Sequence, residues 1–454
     1  MTRLRNDRHL SVAGLQTMID NGEIDTVIVC CTDMQGRLQG KRMHAGYFAD
    51  GVLAHGTEGC NYLLAVDIEM NTVDGYAISS WERGYGDMIF ALDLDTLRLL
   101  PHQPGTAMVQ CDLTWLDGAP VVESPRTILK TQLDRLAKLG YQALAGTELE
   151  FIAFDTPYAD AWRQGYRDLV PSTSYNVDYS ILGTTAVEPL LREIRNAMYG
   201  AGMTVESAKG ECNPGQQEIG FRYAEALTTA DNHVVYKTAA KQIAAQHGKS
   251  ITFMAKYNER EGNSCHIHLS LRGTDGRLVF ADDTGRTELY DHFIAGILTT
   301  MADFTLLYAP NINSYKRFAD GSFAPTAIGW GVDNRTCAVR LVGQGESARL
   351  ENRVPGGDVN PYLALAAMIA GGLHGIEHEL PLPAEVQGNA YESGLPRVPQ
   401  TLLAARDAFT HSAIARETLS DAVVDHYTTM ADVELAAFGA AVTDWELRRS
   451  FERM

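Results

Sequence analysis

The chain is short of positive charge. Across 454 residues, 38 Lys and Arg stand against 57 Asp and Glu, a formal net charge of −19. That balance argues against nucleic acid or an anionic membrane as a partner. A cysteine framework is also missing. The seven cysteines form no CxxC and no regular spacing, and Cys30 and Cys31 are adjacent. Such a set reads as reduced thiols in a cytoplasmic protein. The opening MTRLRNDRHLS lacks the apolar stretch of a secretory leader. The most apolar run, Tyr362 to Leu373, is too short to span a bilayer and reads as a buried helix. Two phosphate-binding signatures fail as well. No GxGxxG follows a strand, and His247-Gly-Lys-Ser250 has Ile243 where a P-loop needs its first glycine, so Gly248 reads as a helix C-cap.

What is present suits a soluble globular protein of two or three domains, 45% hydrophobic and 21% charged. Residues 1–115 read as a small mixed domain around a sheet. It has a helix over 11–21, a buried strand over 26–32, a turn at Asp33-Met-Gln-Gly36 and a hairpin partner over 37–43. Further strands are expected over 62–68 and 88–94. Ser124-Pro125 is a helix start, Ile128, Leu129, Leu133, Leu136 and Leu139 share one face, and Gly140 ends the helix. Amphipathic helices are expected over 187–199 and 230–247, with their Met and Tyr side chains in the core. Residues 272–287 read as a polar, turn-rich excursion.

The chemistry concentrates in four segments. In Gly146-Thr-Glu-Leu-Glu-Phe151, strand alternation puts Glu148 and Glu150 on one face and Leu149 and Phe151 on the other. Burying such a pair costs several kcal/mol unless cations neutralise it; otherwise the two are exposed on an edge strand. Glu211 and Glu218 flank Pro214-Gly215, a turn that can return both to one site or leave both on the surface. Cys265-His-Ile-His268 alternates, so His266, His268 and Ser270 share a face, as metal ligands or as a structural pair. Arg349, Glu351 and Arg353 share another, as an ion-pair ladder or a site for metal and anion together. Carboxylates, imidazole and arginines in combination suit Mg²⁺ or Mn²⁺ with phosphate.

These motifs, with KGECNPGQQEIGFR, NINSYKRF, DNRTCAVR and RLENRVPGGDVNPYL, follow the order and approximate spacing of type I glutamine synthetases, and TDMQGRLQGKRM resembles their small N-terminal domain. The resemblance covers nearly the whole chain. It implies an α+β fold, with a β-grasp domain over 1–115 and a catalytic domain over 116–454 built on a curved antiparallel sheet. It also implies two stacked hexameric rings, and ATP-dependent phosphorylation of the glutamate γ-carboxylate followed by displacement of phosphate by an amine. Matched position by position, Glu150, Glu211 and Glu218 would hold one divalent cation, and Glu148, His266 and Glu351 a second. Gly262, Arg317 and Arg353 would bind glutamate. Tyr223, His268, Ser270, Arg340 and Arg349 would contact ATP, and Arg335 would stabilise the transferring phosphate. Arg335 and Arg317 would thus be the catalytic arginines.

The chain departs from this pattern at the amine. The family's flap glutamate falls at Phe323, in Gly321-Ser-Phe-Ala-Pro325, and the family's ammonium-binding aspartate segment is absent, the region reading His55-Gly-Thr-Glu-Gly-Cys60. A phenyl ring removes charge and adds an apolar wall that suits a carbon-bearing amine. The chain therefore resembles the family's ligases for organic amines, with ethanolamine preferred and polyamines as the alternative. If Glu58 replaces the missing acid, ammonia remains possible. Tyr391 falls where some bacterial members carry an adenylylated tyrosine, in a different context, NAYESGLP.

Overall fold

Turn chemistry and alternating burial build two large sheets. The computed structural model describes residues 10–283 and 285–454, so the leader reading of residues 1–9 lies outside the described residues. Among these, β1 (Thr26–Thr32), β2 (Leu38–His44), β3 (Thr57–Cys60), β4 (Asp87–Leu99) and β5 (Thr106–Thr114) form a sheet in the order β2-β1-β5-β4-β3. The central pair β1–β5 is parallel and its neighbours are antiparallel. The expected hairpin is present. Asp33 Oδ1 accepts from the backbone N–H groups of Gln35 (3.0 Å) and Arg37 (2.8 Å), and Gly36 takes φ +77°.

The strand expected over 62–68 does not form. Asn61–Leu64 is a 3₁₀ turn, in which Asn61 donates to Ile78 O (3.1 Å) and accepts from Ser79 Oγ (2.7 Å). Leu64, Ala65 and Val66 are all fully buried, so the run follows local packing without strand alternation.

The larger sheet uses β6 (Tyr141–Phe154), β7 (Val205–Gly210), β8 (Gln216–Phe221), β9 (Ala224–Glu225), β10 (Ser250–Thr252) and β11 (Cys265–Gly273). After a small pair, β12 (Ala281–Asp282) and β13 (Gly285–Arg286), it is completed by β14 (Trp330–Val332), β15 (Val339–Val342) and β16 (Arg349–Asn352). The order is β14-β15-β16-β11-β6-β8-β7, with β9 and β10 also pairing with β6. The expectation of an antiparallel sheet needs one correction, since β14 and β15 run parallel.

Helices Pro125–Lys138, Glu188–Gly200, Ala226–Gln246, Glu288–Tyr308 and Pro361–Glu377 supply the rest of the core. Ser124 sits at the first N-cap but makes no side-chain cap bond. Met198 and Tyr236 are core residues as expected, whereas Tyr199 is about half exposed. The two longest apolar helices cross where Gly296 faces Gly371 and Gly375. A Cβ on Gly296 would lie 2.1 Å from Gly371 O, so only glycine allows that approach. No helix among the described residues is long and apolar enough to cross a membrane.

One buried charge cluster ties the smaller sheet to the helices. Arg126 is 2% exposed. It donates to Asp231 Oδ1 and Oδ2 (both 3.0 Å), Asp112 Oδ1 (2.5 Å) and Asp93 Oδ2 (2.6 Å). Tyr362 closes the cluster by donating to Asp231 Oδ1 (2.6 Å). The members, Arg126 included, come from β4, β5 and three helices. Arg126→Leu would strand buried Asp231 and is expected to cost about 3–5 kcal/mol. Chemical denaturation should show a clearly lowered midpoint; an unchanged midpoint would show that the cluster is not the tie.

Candidate active site

Strand register assembles the site on one face of the larger sheet. His266 pairs with Glu148, His268 with Glu351, and Glu351 with Arg340. On the other side, Glu150 pairs with Glu218, and Glu218 with Lys209. Because paired residues share a face, these side chains form one stepped row across six strands, β15 to β7, spaced about 4.8 Å apart. The opposite face carries Leu149, Phe151, Ile219, Ile267, Leu269 and Leu350, none more than 1% exposed. The apolar face thus fixes the register that places the acids.

The turn between β7 and β8 brings in Glu211. Gly215 takes φ +79°, and a Cβ there would sit 2.4 Å from Ala153 O. Oxygens of Glu150, Glu211 and Glu218 come within 4.8 Å of one another. Glu150 is held by Gln216 Nε2 (2.9 Å) and the Ser264 N–H (2.7 Å), both donating to Oε2. Lys209 bonds Glu211 and stands 3.5 Å from Glu218. Burial, reinforced by the nearby Glu148 charge, pushes the Glu218 carboxyl up to about 8. Burial raises Glu150 as well. One ammonium therefore does not neutralise three acids, and the donor set fits a hard divalent cation.

The second half is built differently. His268 Nε2 lies 2.9 Å from Glu148 Oε1, and Arg349 Nε approaches its Nδ1 at 3.2 Å. Arg349 can only donate, so His268 Nδ1 accepts and Nε2 carries the proton given to Glu148. That leaves His268 no lone pair for a metal, although it falls with Glu148 and Glu351 in a close group of possible ligands. His266 Nδ1 stands between Glu148 (3.4 Å) and Glu351 (3.5 Å). Burial and Arg353 push His266 down to about 4, so it stays neutral, and its Nε2 is buried without a partner. Burial opposes ionisation of Glu148, yet the two imidazoles hold its carboxyl well below the usual range. Glu351 is also lowered despite burial, by His266 and Arg353. Arg340 Nη1 (3.0 Å) and Arg353 Nη1 (2.5 Å) donate to Glu351.

The other expected residues fall around this row. Arg317 is buried with much of its guanidinium committed, to Val354 O (2.7 Å), Arg353 O (3.0 Å) and Ser264 Oγ (3.1 Å). It organises the loop, while Arg353 keeps an unpartnered Nε. Gly262 lies against Arg317, where a Cβ would meet Ala255 O at 2.2 Å. Ser270 donates to Ala348 O (2.9 Å) and Tyr223 is about half exposed. Arg335 is exposed, and among the described residues its ion pair is with Asp333 at 3.9 Å. Phe323 is 60% exposed at φ +58°. Glu58 is exposed on β3, the outer strand of the smaller sheet. Sequence reasoning passed over Lys209 and Gln216, though the β7–β8 register would have exposed both. It also drew nothing from 157–180, where Tyr179 lies 5.1 Å beneath the Lys209 ammonium and Asp178 joins Glu211 and Cys212 in a further group.

Carboxylates and imidazoles in a row, closed by arginines, are the equipment of an enzyme that transfers phosphoryl groups with divalent cations. A profile of the glutamine synthetase catalytic domain matches residues 122–450. The chain belongs to the glutamine synthetase family. It is 63% identical over 445 residues to the γ-glutamylethanolamide synthetase GlnA4 of Streptomyces coelicolor, covering 98% of this chain and 96% of that protein. A glutamate–isopropylamine ligase of a Pseudomonas species is 36% identical, covering 96% of each. A solved structure of GmaS with ADP matches with a TM-score of 0.84 at 27% identity, over 96% of this chain and 99% of that one.

Because the carboxyl of Glu218 holds its proton below about 8, a cation entering there must displace that proton. Calorimetric titration with Mg²⁺ is expected to release a proton at about pH 7, with affinity rising as pH increases. Glu218→Gln should weaken binding and flatten the pH dependence. A pH-independent isotherm for the unaltered protein would contradict the assignment.

Proposed function

We propose that this chain is an ATP-dependent ligase joining the γ-carboxylate of glutamate to a small organic amine, best matched by ethanolamine. The observation that carries this reading is an intact acidic row beside a flap bearing Phe323 in place of a carboxylate. The full-length similarity to a γ-glutamylethanolamide synthetase and a glutamate–isopropylamine ligase supports it.

In this reading Glu150, Glu211 and Glu218 hold one Mg²⁺ or Mn²⁺, and Glu148, His266 and Glu351 a second. Such ions, when bound, neutralise charge on the triphosphate and the transferring group. Gly262, Arg317 and Arg353 seat glutamate, Arg317 mainly by fixing the loop. Tyr223, His268, Ser270, Arg340 and Arg349 receive ATP. A γ-carboxylate oxygen bonds to the terminal phosphorus as the bond to ADP breaks, with Arg335 countering the equatorial charge. The amine nitrogen then attacks the acyl phosphate, phosphate leaves and the nitrogen loses a proton. Phe323 gives the amine's carbon chain an apolar surface. The β-grasp and catalytic domains would meet near residues 115–116. We place the chain in the cytoplasm, consistent with seven unpaired cysteines, as a homo-dodecamer of two hexameric rings.

Phosphate release and product mass across ammonia, ethanolamine, short alkylamines and polyamines test the reading, with ethanolamine expected to lead. Faster turnover with ammonia than with every organic amine would overturn it in favour of a glutamine synthetase. Phe323→Glu is expected to shift preference towards ammonia, and an unaltered profile would remove Phe323 from specificity. Glu150→Ala should abolish phosphate release; retained activity would refute its metal role.

A further inference from the structure

The flap carrying Phe323 is strained. A phenylalanine at φ +58° costs about 1–2 kcal/mol relative to the right-handed region, so neighbouring contacts must hold it there. On its N-terminal side, Ser322 Oγ donates to Ala319 O (2.6 Å), and Thr326 Oγ1 donates to Asp320 Oδ1 (2.9 Å). On its C-terminal side, Val398 N–H donates to Thr326 O (3.1 Å). At Phe323 itself, the Ala324 N–H donates to Ser322 Oγ (3.4 Å). Arg353 Nη2 makes a long contact to Phe323 O (3.5 Å), and Tyr391 Oη donates to Ala324 O (3.0 Å).

Tyr391 is itself firmly placed. Asn389 Oδ1 accepts from its backbone N–H (3.2 Å). The adjacent Ala390 N–H donates to Thr336 Oγ1 (2.9 Å), and Asn334 Nδ2 donates to Gly388 O (2.8 Å). Asn334 and Thr336 flank Arg335. The segment 388–391 therefore bridges the Arg335 loop and the flap, with the Tyr391 hydroxyl as the bond that reaches the flap.

We propose that Tyr391 is a positioning residue for the amine, its hydroxyl holding the strained flap so that Phe323 faces the carbon chain of the incoming amine. This rests on the ligase reading. Its test uses the full chain and the amine the unaltered enzyme prefers, so the substrate panel judges the ligase reading separately. Tyr391→Phe deletes only the hydroxyl. Losing one neutral hydrogen bond predicts an increase in amine KM of roughly three- to tenfold. KM for ATP and glutamate, kcat at saturating amine and thermal stability should stay unchanged. In a Phe323→Ala background the same substitution should add nothing, because the group being positioned is gone. Three results would each overturn the proposal: an unchanged amine KM, a uniform loss across all substrates, or an equal effect with and without the Phe323 ring.

Discussion

Like charges crowded on one sheet face must be balanced, and the site is organised around that demand. Glu150 and Glu218 face each other across neighbouring strands, and Glu148 and Glu351 flank His266. Unpaired, such groups would strongly resist burial. Lys209 moderates the repulsion at one end, and Arg340 and Arg353 do so at the other. The two ends respond in opposite directions. Glu218 keeps its proton near neutrality, while Glu148 and Glu351 stay ionised beside imidazole and guanidinium. The first half therefore retains a deficit of positive charge, and the second sets two ionised carboxylates on either side of a neutral imidazole. Both conditions favour added cations.

Apolar packing maintains that arrangement. The residues behind the acids are fully buried, so a one-residue slip of β6 would place Leu149 in the site and Glu150 in the core. The Arg126 cluster fixes the smaller sheet and three helices against the same body. Close apolar packing thus lies directly behind the row. The flap instead depends on a few hydrogen bonds around a strained residue, Phe323, which stands where the family resemblance places a carboxylate.

Much of this was legible in the sequence, for a specific reason. Alternation places Glu148 with Glu150, and His266 with His268, whatever the surrounding fold, and all four point into the site. The helix at Pro125–Lys138 and the β1–β2 hairpin announced themselves through capping and turn residues. What stayed hidden depends on partners distant in sequence. Leu64 to Val66 resemble a strand but are buried by tertiary packing. The parallel β14–β15 pair has no local signature. The division of labour between His266 and His268 follows from Arg349, a neighbour brought in by the fold. Lys209 gains its role only when β7 pairs with β8.

We propose above that this charge pattern holds two divalent cations close together. Titration with Mn²⁺ followed by electron paramagnetic resonance tests it most directly. Two ions per chain are expected, with signals broadened by mutual coupling and the coupling lost in Glu150→Ala. A single uncoupled ion, or none, would contradict it.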